Sequence, residues 1–207
     1  MSRFAAALGE AGAGMVQTAL DEGRIVPGED LARAARDLAT VTTWRGPGRA
    51  ETDRGIVLAQ LALAGRTGNR PSVEYLAEAR QSLERGLAHS PADPLGWAWL
   101  ARVRLILSGP SREAVAAVRN SMEGAIYDPK LLVWRLSLAA RARDYWDPEF
   151  TDLFQGQVAL AWLTQPRELT AAAARQGFTD IVALALRANG LPADDRAKAP
   201  FMPMPIP

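Results

Sequence analysis

Apolar residues recur at three- and four-residue spacing along most of the chain, so the pattern predicts helices rather than strands. The clearest block is residues 90–127. There Trp97, Leu100, Ala101 and Leu105 share one face, and Trp99, Val103 and Ile106 form a second stripe. A helix that is apolar on two sides has to be covered on two sides, as an inner helix of a stack is. Gly109 tolerates a left-handed backbone and so ends this helix, and Pro110 suits the first position of the next. Ala114, Val115, Val118, Met122 and Ala125 give the second helix one apolar face. Asp128-Pro129 closes the pair, because the residue before a proline is biased away from helix. Trp97 and Trp99 stand about 200° apart around the axis. One of them therefore packs between helices, while the other lies in a groove or against a neighbouring hairpin.

The same periodicity extends to both sides. Residues 2–22 carry a weak stripe of Phe4, Leu8, Val16 and Leu20, diluted by Gly9, Gly12 and Gly14. Each interior glycine costs about 1 kcal/mol of helix stability, so this helix needs a partner surface. A turn at 23–28 leads into a helix running to about Thr42, with Glu29 and Asp30 at its positive end and Leu31, Ala34, Ala35, Leu38 and Val41 on its buried face. Trp44-Arg-Gly-Pro-Gly-Arg reads as a connector. It lacks the lysine-serine pair and the preceding strand of a phosphate-binding loop.

Ala50–Ala64 is the next helix, burying Ile56, Leu58, Ala59, Leu61 and Leu63, and Pro71-Ser72 opens its partner with a seam of Leu76, Ala79, Leu83 and Leu87. A third pair spans 130–164. Leu131, Trp134 and Leu138 lie on its first helix, and Phe150, Phe154, Val158, Ala161 and Trp162 on its second. A shorter fourth pair turns at Gly177 and stops at Gly190 and Pro192.

Within this layout the residues resemble tetratricopeptide repeats, helix-turn-helix units of about 34 residues with a W-x2-L-G-x2-Y, A-x3-F, P signature. The chain has Trp97-x2-Leu100-Ala101-x2-Arg104, then Ala117-x3-Ser121, Gly124 and Pro129. Ala101 stands for the glycine, and Arg104 departs from the tyrosine. The second-half spacing returns as Ala79, Leu83, Gly86 and Pro91, and again as Phe154, Val158, Ala161 and Pro166. Pro91, Pro129 and Pro166 are 38 and 37 residues apart, and Trp134 and Arg141 follow Trp97 and Arg104 at 37. The resemblance implies an all-α fold, a right-handed superhelix of stacked helical hairpins with extra N-terminal helices. It divides the chain into an N-terminal helical segment at 1–45, a repeat domain at 46–191 and a proline-rich tail at 192–207. The tail ends Pro-Phe-Met-Pro-Met-Pro-Ile-Pro and reads either as a disordered end or as an extended docking strand anchored by Phe201, Met202, Met204 and Ile206.

Composition narrows the function classes. Net charge is +1, from 24 basic and 23 acidic side chains, which argues against nucleic acid or an anionic membrane surface as partner. Cysteine is absent, so neither disulfides nor thiolate metal sites exist. No stretch approaches the ~20 apolar residues of a membrane span. The first residues make a poor secretory signal, so the expected location is cytoplasmic, or periplasmic if an upstream start is missing.

His89 is the only histidine, which excludes multi-histidine metal sites, and its place at a helix end suits a cap interaction. Asp144 with Asp147, and Asp194 with Asp195, are carboxylate pairs whose spacing alone does not establish acid-base chemistry. No catalytic residue, metal or cofactor is assigned, and the chain is read as a non-enzyme.

By the resemblance, the first helices of the second and third pairs line a groove. Arg102, Arg104, Arg135 and Arg141, with Trp99, are the candidate partner-binding residues, suited to an acidic peptide or a terminal carboxylate. The alternative for these arginines is snorkelling or internal ion pairing. The expected function is a protein-protein interaction scaffold or adaptor that binds a peptide or protein, with its oligomeric state open. Alternatives are an accessory subunit of a bacterial envelope or exopolysaccharide biosynthesis or secretion system, suggested by alanine- and arginine-rich usage, and an enzyme with a cryptic carboxylate site.

Overall fold

A computed structural model of the chain describes residues 14–16, 26–45, 48–65 and 71–192. The expected helix at 2–22 and the tail from Ala193 onward lie outside the described residues, apart from the helical residues Gly14, Met15 and Val16. Among the described residues the fold is all-α, with no strand. The helices are α1 (Gly28–Arg45), α2 (Gly48–Leu63), α3 (Ser72–His89), α4 (Pro94–Leu107), α5 (Arg112–Gly124), α6 (Leu132–Ala140), α7 (Pro148–Thr164), α8 (Pro166–Gln176) and α9 (Thr179–Ala188), with a 3-10 turn at Arg143–Tyr145 between α6 and α7. They group into two compact units that divide between Gly124 and Ala125.

Local chemistry explains where the helices start and stop. Asp93 caps α4 by accepting from the Gly96 N–H at 3.0 Å, with Pro94 at the first position. Asp147 caps α7 in the same way through the Phe150 N–H at 2.7 Å, with Pro148 following. In each case an aspartate oxygen takes a backbone donor that the helix leaves unpaired. Gly109 and Gly177 adopt positive φ of 76° and 73°, so each ends its helix where a β-carbon would be strained.

Two connections differ from the sequence reading. Pro110 does not open α5, because Ser111 takes the cap, its Oγ accepting from the Ala114 N–H at 3.2 Å, and the helix begins at Arg112. The connector expected at 44–49 is shorter, since α1 continues through Arg45 and α2 begins at Gly48.

In the first unit each helix packs on the next, and α4 also reaches back to α2. The α1 face of Leu31, Ala34, Ala35, Leu38 and Val41 is buried as expected, as is the α3 seam of Leu76, Ala79, Leu83 and Leu87. Leu63 and Ile106 are exposed instead, each at 38%, being at or near the last turn of their helices. The crossing of α2 and α3 depends on small residues. A β-carbon on Gly86 would sit 2.6 Å from the Thr52 backbone nitrogen, and one on Gly55 would sit 2.9 Å from the Ala79 carbonyl oxygen. Thr52 also fills the space beside Gly96 on α4, so three helices meet around one side chain.

In the second unit α7 packs against α6 and α9, and α8 packs on both α6 and α7. Phe150, Phe154, Val158, Ala161 and Trp162 are buried as expected. Trp146 seals the corner between α6 and α7. Its ring lies 5.5 Å from Phe150 and 4.4 Å from Phe154, and its indole N–H donates to the Ala139 carbonyl at 3.1 Å.

Candidate functional site

The five candidate residues meet different fates. Trp99 is buried, and the Arg102 guanidinium lies over its ring at 5.2 Å from the centroid, a cation–π pair one helical turn apart. This partly exposed platform on α4 joins two of the five. Trp97, the other member of the tryptophan pair, is half-buried and donates its indole N–H to the Pro91 carbonyl at 2.7 Å.

Arg104 follows the internal alternative. Its guanidinium donates to the Glu113 carbonyl at 2.9 Å and to Glu84 Oε1 at 3.0 Å, so it joins the end of α4 to α5 and to α3. Arg141, just past α6, is exposed.

Arg135 corrects the expectation of a groove-lining residue. It is fully buried, so it presents nothing to a partner in solution. It donates to the Ala125 carbonyl at 2.7 Å and to Gln157 Oε1 at 3.3 Å, and Gln157 in turn donates to the Ile126 carbonyl at 2.8 Å. Burial pulls the Arg135 pKa below its ordinary value, with the negative charge of Asp128 opposing. The two side chains thus fix the backbone that follows Gly124.

A polar network that the sequence reading did not anticipate covers the α2–α3 crossing. Arg54 pairs with Glu78 and donates to Ser82 Oγ at 2.6 Å. Arg85 donates through Nε to Glu51 Oε1 at 2.7 Å, and Glu51 is itself buried. Arg54 and Glu78, with Leu58 and Leu61, help line an open cleft of about 250 Å³ between α1, α2 and α3. The signal available in the sequence was spacing. Glu51 and Arg54 are three apart on α2, and Glu78, Ser82 and Arg85 fall on one side of α3. Pairing them across helices requires the α2–α3 register, which spacing does not supply.

His89 ends α3 with its Nδ1–H donating to the Arg85 carbonyl at 2.9 Å, the cap interaction expected of it. Asp147 serves as a helix cap, while exposed Asp144 lies 3.7 Å from Arg143. Among the described residues no group of three or more His, Cys, Asp or Glu is assembled as a metal site, and no helix is long and apolar enough to cross a membrane. Compared with known proteins, the chain matches no family model, and neither a curated protein nor a solved structure is significantly similar to it.

Proposed function

We propose that the chain is a non-enzymatic interaction scaffold, with hairpins stacked in the right-handed tetratricopeptide manner within each unit, and that it binds a peptide or protein partner. One packing observation carries this reading. The helix that opens a second hairpin, α4 in the first unit and α8 in the second, packs on both helices of the hairpin before it. A hairpin that offers both helices to its successor is how a repeat array propagates its core. Ala101 and Ala117, which occupy signature positions of the resemblance, are both fully buried at the α4–α5 interface.

The candidate partner-facing cations are half-exposed Arg102, stacked on Trp99 in the first unit, and, separately, exposed Arg141 in the second. Both favour an acidic group flanked by apolar contacts. Calorimetric titration against acidic and charge-neutral peptides of matched length tests this. An acidic peptide is expected to bind, and Arg102→Ala to weaken it about tenfold, equivalent to about 1.4 kcal/mol. Affinities that do not discriminate acidic from neutral peptides, or that ignore both Arg102→Ala and Arg141→Ala, would remove the reading.

A further inference from the structure

Three alanines leave a space between α1, α2 and α3. Ala32, Ala35 and Ala39 recur at helical spacing on α1 and line the cleft together with Leu58 and Leu61 of α2 and Tyr75 of α3. An alanine side chain ends at its β-carbon, and about 250 Å³ stays open among the three helices. An apolar cavity of ~150 Å³ takes a benzene ring, so this cleft accepts one phenylalanine-sized side chain. It is smaller than the ~300–1,000 Å³ of sites that enclose a whole small molecule.

The charge around this space is not balanced. Two arginines, Arg36 and Arg54, line it against one carboxylate, Glu78. Glu78 pairs with Arg54. Arg36 is exposed, and among the described residues its guanidinium has no ion-pair or hydrogen-bond partner. Arg54 keeps a buried Nε–H without an acceptor even after serving Glu78 and Ser82. An apolar lining beside surplus positive charge suits an apolar group that carries a carboxylate next to it.

A second depression, of about 520 Å³ and more open, shares Arg54 and Glu78 with the first and is lined further by Glu74, Gln81 and Arg85 of α3. The stretch from Glu74 to Arg85 rises ~16 Å along α3, the length of about five extended residues. A ligand that fills the cleft and leaves by its open side therefore passes onto a polar trough. That length and polarity fit a peptide backbone better than a free small molecule.

We infer that the cleft is an anchor site for a peptide partner: one large apolar side chain enters between Ala35, Leu58 and Tyr75, and the acidic residue beside it meets Arg36. The inference rests on the scaffold reading in taking the ligand for a peptide, but it uses neither Arg102 nor Arg141.

Methyl-detected NMR on the full chain tests it, with Leu58 and Leu61 as reporters. The probe is a blocked heptapeptide with a central Phe-Asp pair among glycines and serines. Both leucine methyl signals are expected to shift and saturate. Replacing the peptide's phenylalanine by alanine, or its aspartate by asparagine, should each weaken binding about tenfold. Arg36→Gln should weaken the Phe-Asp peptide to the level of the Phe-Asn peptide and leave the Phe-Asn peptide unchanged. Ala39→Leu, and independently Ala32→Leu, fill the space and should abolish the shifts with helical circular dichroism unchanged. The anchor site is overturned if the methyl signals stay still, or if Arg36→Gln weakens both peptides equally or neither. It is overturned too if acetylphenylalanine binds as tightly as the heptapeptide, which would assign the cleft to a small molecule. A double variant, Arg102→Ala with Arg141→Ala, separates this site from the surface proposed above. It should bind the probe unchanged, whereas loss of the Leu58 and Leu61 shifts in it would overturn the cleft and leave that surface standing.

Discussion

Arg135 shows how one buried charge governs a stretch of backbone. Its guanidinium satisfies the Ala125 carbonyl and orients Gln157. Removing it leaves a void and takes a donor from the buried Gln157 Oε1 and the part-buried Ala125 carbonyl. Arg135→Ala is expected to cost about 3 kcal/mol of stability, from cavity and desolvation together. Arg135→Met fills the void without burying a charge and should cost only about 1 kcal/mol. Urea midpoints at neutral pH measure both, and equal losses would show that packing is not the deciding term. Glu113 offers a residue-scale test by pH. Its carboxyl is held below its ordinary pKa, first by a backbone hydrogen bond at Glu113 itself and next by the Ser111 side chain, with Arg104 and Arg112 adding smaller attraction. A carboxylate favoured in the folded state stabilises above its unfolded pKa, and the effect is lost as pH falls through the lowered folded value. NMR titration should therefore find Glu113 ionised further into acid than an unperturbed glutamate, and Ser111→Ala should move it back towards the ordinary value. At this scale the sequence was legible for apolar side chains, since Leu100, Leu83 and Phe154 were placed inside by spacing alone. It was not legible for Arg135, because an arginine on a helix reads as surface until the carbonyls that receive it are known.

Helix contacts depend on residues that apolar patterning ignores. Thr52 separates Gly86 on α3 from Gly96 on α4, but it meets them with different atoms. A β-carbon on Gly96 would press on Thr52 Cγ2 at 2.6 Å, a side-chain end, whereas one on Gly86 would press on Thr52 Oγ1 and, at 2.6 Å, on the Thr52 backbone nitrogen, neither of which serine removes. Gly96→Ala and Gly86→Ala are each expected to lose about 1–3 kcal/mol by overpacking. Thr52→Ser deletes Cγ2 and nothing else, so it should restore most of the Gly96→Ala loss and leave the Gly86→Ala loss in place. Thermal midpoints of the two double variants decide this, and rescue of both, or of neither, would mean the helices shift apart rather than holding their register. Helix positions and buried faces were readable in the sequence because a 3.6-residue period leaves a direct trace. The crossing point was not. Gly55, Gly86 and Gly96 matter through their absence of bulk, and small residues are equally common where nothing approaches, as at Gly156. The Ser111 cap was also hidden, since Ser108-Gly-Pro-Ser111 holds two possible caps and only the backbone path chooses between them.

For the whole molecule, near-neutral charge has a local counterpart. Arg54 with Glu78, Arg85 with Glu51, Arg104 with Glu84 and Arg143 with Asp180 pair across elements, each within one unit. Composition gave the balance, but only the fold gives the pairing. The same distinction locates the division of the chain. The sequence suggested a pair closing at Asp128-Pro129, and by that reading a cut before Asp128 would be harmless. The hydrogen bonds place the boundary earlier. Arg135 and Gln157, both in the second unit, take the Ala125 and Ile126 carbonyls, so residues 125–127 belong with α6 and α7. A fragment 125–207 keeps both acceptors, while 128–207 strips a buried guanidinium and a buried amide of them. Losing one charge-assisted and one neutral hydrogen bond is expected to lower the stability of the shorter fragment by about 2–4 kcal/mol relative to the longer. Urea unfolding of the two fragments, followed by helical circular dichroism, measures the difference. If their midpoints coincide, the Arg135 and Gln157 contacts do not fix the boundary, and the three residues are a linker after all.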